Sequence, residues 1–138
     1  MKSTASDRIK QTIIKNAAEI VRLHTHTKQA FAQRNQSPEK WSEFYQAGVD
    51  FASHYNSLAF PRGLNGAYER IDSGDPVTIE EAICFLEVRP YFIRSGYMFK
   101  DILRKCKRAQ LSPAQAARLE VVKEKQDEWK RLKSLKAY

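Results

Sequence analysis

Residues 97–108 read YMFKDILRKCKR, and the spacing of their side chains predicts an amphipathic helix. At about 100° per residue, one arc of the helical wheel collects the apolar side chains of Met98, Phe99, Ile102, Leu103 and Cys106. The other arc contains the cations Lys100, Arg104, Lys105, Lys107 and Arg108. We therefore expect a helix that packs its apolar arc inward and displays a cationic face.

Helix start signals recur in the preceding and following sequence. A first helix is expected from a cap at Ser6 to about Arg34, because apolar residues recur there at close to 3.6-residue spacing. The pairs Ser37-Pro38 and Ser112-Pro113 each place a capping hydroxyl before a proline at the first helical position. The helix after Ser37 is the most aromatic part of the chain, and we expect it to be central to the core.

Residues 78–81 (TIEE) match a capping box and predict another helix start. This helix should end before Pro90, because proline disfavours a helical residue ahead of it. Residues 60–77 contain three glycines and two prolines and therefore predict a long loop, with one short turn of helix over 67–71.

These segments predict an all-α protein, folded as a single-domain bundle of about five helices over residues 1–138. Gly and Pro number five each, which favours long helices over a turn-rich β fold. Residues 1–5 and about 134–138 are expected to fray. Short connections favour antiparallel neighbours, and a stack of helical hairpins, similar to HEAT repeats, is a second arrangement that fits the pattern.

The positive charge is confined to one end of the chain. Residues 1–88 contain 10 Lys and Arg against 11 Asp and Glu, a net charge of −1. Residues 89–138 contain 14 Lys and Arg against 5 Asp and Glu, a net charge of +9, and the two parts sum to the overall +8. A concentration of cations favours an acidic partner, whether protein or nucleic acid.

The sequence offers no persuasive catalytic constellation, so we expect neither an enzyme nor a metal or cofactor site. His24 and His26 are two residues apart and would point about 200° from each other on a helix. No metalloprotease, phosphate-loop or nucleophile-elbow motif is present. Cys84 and Cys106 belong to no paired motif, and we expect both to be small buried residues.

The sequence also predicts a cytoplasmic protein without a membrane anchor. Its first ten residues are polar, with no apolar signal-peptide region after them. No apolar run approaches the roughly 18 residues that a membrane-spanning helix requires.

The turn that leads into the helix of residues 97–108 reads Arg94-Ser95-Gly96. Here Gly96 is expected to adopt a positive φ, and Ser95 is expected to cap the following helix. Glu87 is expected to pair with Arg94 or another arginine. An ordinary interhelical turn beside a solvated basic surface accounts for the same residues.

We predict a small non-enzymatic interaction protein, of the adaptor, inhibitor or immunity type, that docks an acidic partner protein through its basic C-terminal helical face. The alternative is a nucleic-acid-binding protein that uses the same face, although no helix-turn-helix or RNP motif is recognisable. The predicted partner-binding residues are Arg94, Tyr97, Lys100, Arg104, Lys107 and Arg108.

Overall fold

The computed structural model describes residues 4–136, which fold into an all-α bundle. Within this range there are six helices and no strand: α1 (Ala5–Gln33), α2 (Pro38–Ala59), α3 (Ala67–Asp72), α4 (Pro76–Val88), α5 (Ser95–Arg108) and α6 (Pro113–Lys136). The predicted fold class is confirmed, and the short turn expected over 67–71 is α3. Of the termini expected to fray, residues 1–3 and 137–138 lie outside the described range, whereas Ala5 and residues 134–136 are helical.

The centre of the bundle is α4. Every residue from Thr78 to Leu86 except Glu80 is buried, so this stretch of the helix is covered on all sides. It contacts α1, α3, α5 and α6, and the buried side chains of these elements form one continuous core. Only α1 and α2 form a long helical hairpin, so the alternative of stacked hairpins is not confirmed.

The expectation that α2 is central to the core is wrong. Only Ala47 and Ala59 are buried along its length, while Trp41 and Tyr45 are exposed. This helix packs mainly on α1. Its partly buried rings at Phe51 and Tyr55 only border the core. Aromatic content predicted burial poorly here because a ring can remain exposed at the edge of a two-helix layer.

The helix starts are partly as predicted. Ser37 and Ser112 each accept a hydrogen bond from the amide three residues on, which confirms both caps. The first helix is capped by Thr4, with Asp7 completing a capping box, and not by Ser6. The capping box predicted over residues 78–81 is also wrong, because α4 begins at Pro76.

Asp75 caps α4, and its carboxylate accepts a hydrogen bond of 2.9 Å from the Thr78 amide. Thr78 is therefore inside the first turn and fully buried. Glu81, which would have completed the predicted box, instead accepts hydrogen bonds from the Arg62 guanidinium. This ion pair connects the loop before α3 to the central helix α4.

A second charged network joins α1, α4 and α6 around Arg118. Its guanidinium donates to Glu80 and to Glu87, with nitrogen–oxygen distances of 2.9 and 2.6 Å. Lys10 of α1 also pairs with Glu87 at 3.3 Å. The expectation that Glu87 pairs with Arg94 or another arginine is thus confirmed, and the arginine is Arg118. Burial alone would raise the pKa of Glu80, but hydrogen bonds from Ser6, Gln115 and Arg118 outweigh it and lower that pKa to about 2.

Both cysteines are free and fully buried, as predicted. Burial raises the pKa of the Cys84 thiol to about 11 and that of the Cys106 thiol to about 12. The helices of residues 4–136 include none long and apolar enough to cross a membrane.

Candidate functional site

A groove of about 750 Å³ lies between α1, the 89–94 connection, the start of α5, and α6. We call it the basic groove. Its α1 wall is formed by Val21, His24, Thr25 and Lys28. Its α6 wall is formed by Gln126 and Trp129.

The connection between α4 and α5 shapes the groove through two arginines with positive φ. Arg89 ends α4 at φ 49°, and Arg94 precedes α5 at φ 68°. Gly96, which was expected to take this conformation, is helical, and the expectation is wrong. Side chains longer than asparagine rarely adopt this region, so these two positions carry backbone strain beside a concave surface.

Ser95 is buried, and its role differs from the predicted one. It is already the first residue of α5, and its hydroxyl accepts a hydrogen bond from the Phe92 amide at 3.1 Å. The phenol of Tyr55 on α2 donates to the Ile93 carbonyl at 2.8 Å. Burial raises the pKa of this phenol, which keeps it protonated as a donor. Together these bonds fix the 92–95 turn at the edge of the groove.

Arg89 lies between two rings that line the groove. Its guanidinium carbon is 4.5 Å from the centre of the Phe99 ring and 4.6 Å from that of Trp129. The guanidinium also donates a hydrogen bond to the Gln126 side chain. These contacts orient the cation without neutralising it, because neither the rings nor the amide carry a negative charge.

The lining of the basic groove contains cations and no carboxylate. The cations are Lys28, Arg89, Arg94 and Lys100. Within residues 4–136, no carboxylate lies within ion-pairing distance of Lys28, Arg94 or Lys100. By contrast, Arg62, Lys105 and Arg118 elsewhere on the molecule are each paired with Asp or Glu. The groove is therefore a site of uncompensated positive charge.

The floor and rim of the groove are apolar and aromatic. Phe92 and Phe99 are buried at its floor. At its rim, Tyr91 is 89% exposed and Tyr97 is 74% exposed. A ligand that enters the groove therefore meets apolar surface beneath it and charges around it.

The structure brings together three of the six residues predicted for partner binding. Arg94, Tyr97 and Lys100 line the groove. Lys107 and Arg108 lie farther along α5 and are exposed outside the groove. Arg104 is exposed but pairs with Asp101 at 2.9 Å.

Lys105 was placed on the cationic face, and this is wrong. It is half-buried, pairs with Asp72 at 2.7 Å, and lies over the Tyr68 ring. The apolar arc of the helix is confirmed, since all five of its predicted residues are buried.

Sequence reasoning missed the groove residues of α1 and α6. Lys28 and Trp129 are distant in sequence from the 89–100 segment, and only the packing of both helices around α4 brings them beside it. The sequence did show that Arg89 and Tyr91 flank a proline directly before the Arg94 turn. Their proximity to Arg94 indicated a larger basic and aromatic cluster than the α5 face alone.

The groove presents cations, exposed rings and apolar surface to a ligand. His24 stacks against Phe51 with ring centres 5.4 Å apart, and Ser95 is engaged by the backbone. In the described part of the chain, no three His, Cys, Asp or Glu side chains are placed to hold a metal ion. Uncompensated cations, exposed rings and an apolar floor are suited to an anionic ligand with apolar groups.

Comparison with protein-family models, curated proteins and solved structures found no match to this chain.

Proposed function

We propose that this protein is a non-enzymatic interaction protein whose basic groove docks an acidic segment of a partner protein. The observation that supports this most strongly is the acid-free lining, in which Lys28, Arg94 and Lys100 have no carboxylate partner among residues 4–136. Complementary charge speeds encounter and disfavours basic competitors. The floor at Phe92 and Phe99 supports the apolar contacts that give protein interfaces most of their affinity.

Nucleic-acid binding is the second candidate, and the exposed rings of Tyr91 and Tyr97 favour it. Single strands bind where cations follow the backbone and bases stack on free aromatic faces. The faces of Phe99 and Trp129 are less suited to stacking, because Arg89 lies against both and Lys133 also lies against Trp129.

The cations along α5 also favour an acidic protein over a nucleic acid. Arg104 pairs with Asp101 on its own helix, and Lys105 pairs with Asp72 of α3. The row of positive charge from Lys100 toward Arg108 is therefore interrupted by ion pairs, which leaves no continuous series of free cations for a phosphate backbone to follow. These observations favour an acidic protein over a nucleic acid.

The test is fluorescence anisotropy with two labelled probes, a polyglutamate peptide and a single-stranded oligonucleotide, each at low and moderate salt. We expect the peptide to bind and the triple variant Lys28→Glu, Arg94→Glu, Lys100→Glu to weaken it by about tenfold or more. The matched control reverses three exposed lysines that do not line the groove: Lys15, Lys130 and Lys136. An equal loss in both variants would show that only net charge matters.

The oligonucleotide decides between the two candidates. Tighter binding of the oligonucleotide than of polyglutamate, with a steep salt dependence that is abolished by Tyr91→Ala and Tyr97→Ala, would replace the proposal with nucleic-acid binding. Reversal of Arg104, Lys107 and Arg108 tests the outer part of the predicted basic face. We expect a smaller loss there than in the groove variant, because these residues do not line the groove.

A further inference from the structure

Helix α1 carries two apolar stripes, and only one of them is buried. Ile13, Ala17 and Ile20 belong to the core. One residue later, and therefore rotated by about 100°, a second stripe consists of Ile14, Ala18, Val21 and Thr25. All four are exposed, Ile14 by 58% and Val21 by 42%. A single apolar stripe suffices for a helix on the surface of a bundle, so the second one lacks a partner.

The exposed stripe leads into the basic groove. Its residues follow one another at intervals of four, three and four, which is the spacing at which helices pack side by side. Lys28 continues the series three residues after Thr25. Val21, Thr25 and Lys28 all line the groove, so the apolar part of the stripe ends at a cation there.

Helix α6 forms a second unpartnered surface across the groove. Leu119, Val122 and Gln126 are buried in the bundle, and the same side of the helix continues to Trp129. Trp129 lines the groove and is 45% exposed. All described residues of α6 after Gln126 are exposed, and the Arg89 guanidinium against the Trp129 ring covers this end of the helix only in part.

From these surfaces we infer that the basic groove holds an acidic amphipathic helix of the partner protein. The apolar side of that helix packs on the exposed α1 stripe and on Trp129. Its carboxylates pair with Lys28, Arg94 and Lys100. This inference rests on the proposed function and specifies the form of the acidic segment.

A helix fits better than an extended segment because of backbone hydrogen bonding. An extended peptide gains affinity by adding a strand to an exposed sheet edge. The bundle of residues 4–136 has no strand and therefore no such edge. A segment that enters an apolar groove must then satisfy its own backbone groups, and an α-helix does so.

The probe is a labelled peptide of about 16 residues that contains only glutamate and leucine, with leucines at the i, i+3, i+4 and i+7 spacing. The reference peptide has the same composition in a scrambled order without that spacing. We expect the patterned peptide to bind about tenfold more tightly than the scrambled one. Circular dichroism should show a gain of helix on mixing, beyond the sum of the separate spectra.

The matched variants alter the exposed stripe without changing charge. Ile14→Ser, outside the groove lining, should weaken the patterned peptide several-fold and leave polyglutamate binding unchanged. Val21→Ser, in the groove wall, should weaken the patterned peptide several-fold and more than it weakens polyglutamate. Both side chains are substantially exposed, so the fold should persist. Val77→Ser on α4 is the control, since Val77 is 55% exposed and lies outside the groove. It should leave both peptides unaffected.

The outcomes distinguish this inference from the proposed function. One outcome is that patterned and scrambled peptides bind equally and lose binding only in the groove charge-reversal variant. That result would overturn the inference that the docked segment is helical and would leave the proposed acidic docking standing. Failure of every acidic peptide would overturn both. A concentration-dependent dimer that is abolished by Val21→Ser would instead assign the exposed stripe to a second copy of the chain.

Discussion

Arg94 combines a positive φ with a cation that lines the basic groove. Its backbone lies at φ 68°, a conformation that costs a residue with a Cβ about 1 kcal/mol and that glycine adopts freely. Its side chain has no carboxylate partner in the described chain and lines the basic groove. Arginine at this position is consistent with a requirement for its charge, since its local conformation favours a glycine.

Arg94→Gly should therefore separate stability from binding. We expect its free energy of unfolding in urea to be unchanged or higher by up to about 1 kcal/mol. Binding of an acidic peptide should weaken. Arg89→Gly is the comparison, because it also relieves a positive φ but removes a cation that packs against Phe99 and Trp129. A loss of stability in Arg94→Gly as large as that in Arg89→Gly would contradict this account.

Asp75 is the second residue whose role is specific enough to test. As the N-cap of α4, it accepts from the Thr78 amide. Asp75→Ala should reduce the free energy of unfolding by about 1 kcal/mol, the usual contribution of such a cap. Urea denaturation followed by circular dichroism measures this. An unchanged midpoint and slope of the urea unfolding curve would contradict the capping role of Asp75. It would favour a cap at Thr78, as the sequence alone predicted.

At the scale of the helix, the sequence pattern predicted burial correctly where one side of a helix packs on the core and the other faces solvent. The apolar arc of α5 was predicted residue by residue, because its buried and exposed sides differ sharply. The start of α4 was misplaced because the capping box at Thr78 was preferred over Asp75-Pro76, which has the same cap-and-proline pattern as Ser37-Pro38. The burial of α2 was overestimated because periodicity does not tell how many neighbours a helix has.

The ion pairs that join helices around Arg118 predict that the bundle loses stability at acidic pH. The pKa of Glu80 is about 2 in the folded protein against an ordinary value of 4.5. As the pH falls, the unfolded chain therefore binds a proton first, and stability is lost progressively between these two values. Measured in urea at a series of pH values, the free energy of unfolding should fall across this range.

Glu80→Gln should flatten that pH dependence, because the variant has no carboxylate to protonate at this position. Glu124→Gln is the control, since Glu124 is exposed on α6 and outside the network. An identical slope in wild type and Glu80→Gln would show that Glu80 does not couple folding to pH.

At the scale of the whole molecule, the packing of α1, α5 and α6 around α4 forms both the core and the basic groove. Because α1, α5 and α6 all contact α4, the ends of α1 and α6 stand on either side of the 89–94 connection. Sequence reasoning located Arg94, Tyr97 and Lys100 from local charge alone. It had no means of finding Lys28 or Trp129, since their place in the groove depends on contacts between distant segments.

The continuous core also predicts unreactive thiols. Cys84 and Cys106 are fully buried, with pKa values of about 11 and 12. At about pH 8 neither should react with a thiol reagent in the folded protein, because the thiolate is the reactive form. Both should react once urea unfolds the chain. Rapid modification of either cysteine without unfolding would show that the core opens locally.

The central claim is that acidic partners dock in the basic groove. An NMR titration of the isotopically labelled protein with polyglutamate tests it most directly, because each backbone amide reports its own surroundings. We predict the largest shift changes in the amides of residues 91–97 and of Lys28, with little change at Gly63 and Gly74. Changes confined to residues 104–108, or spread evenly over all exposed cations, would contradict the account.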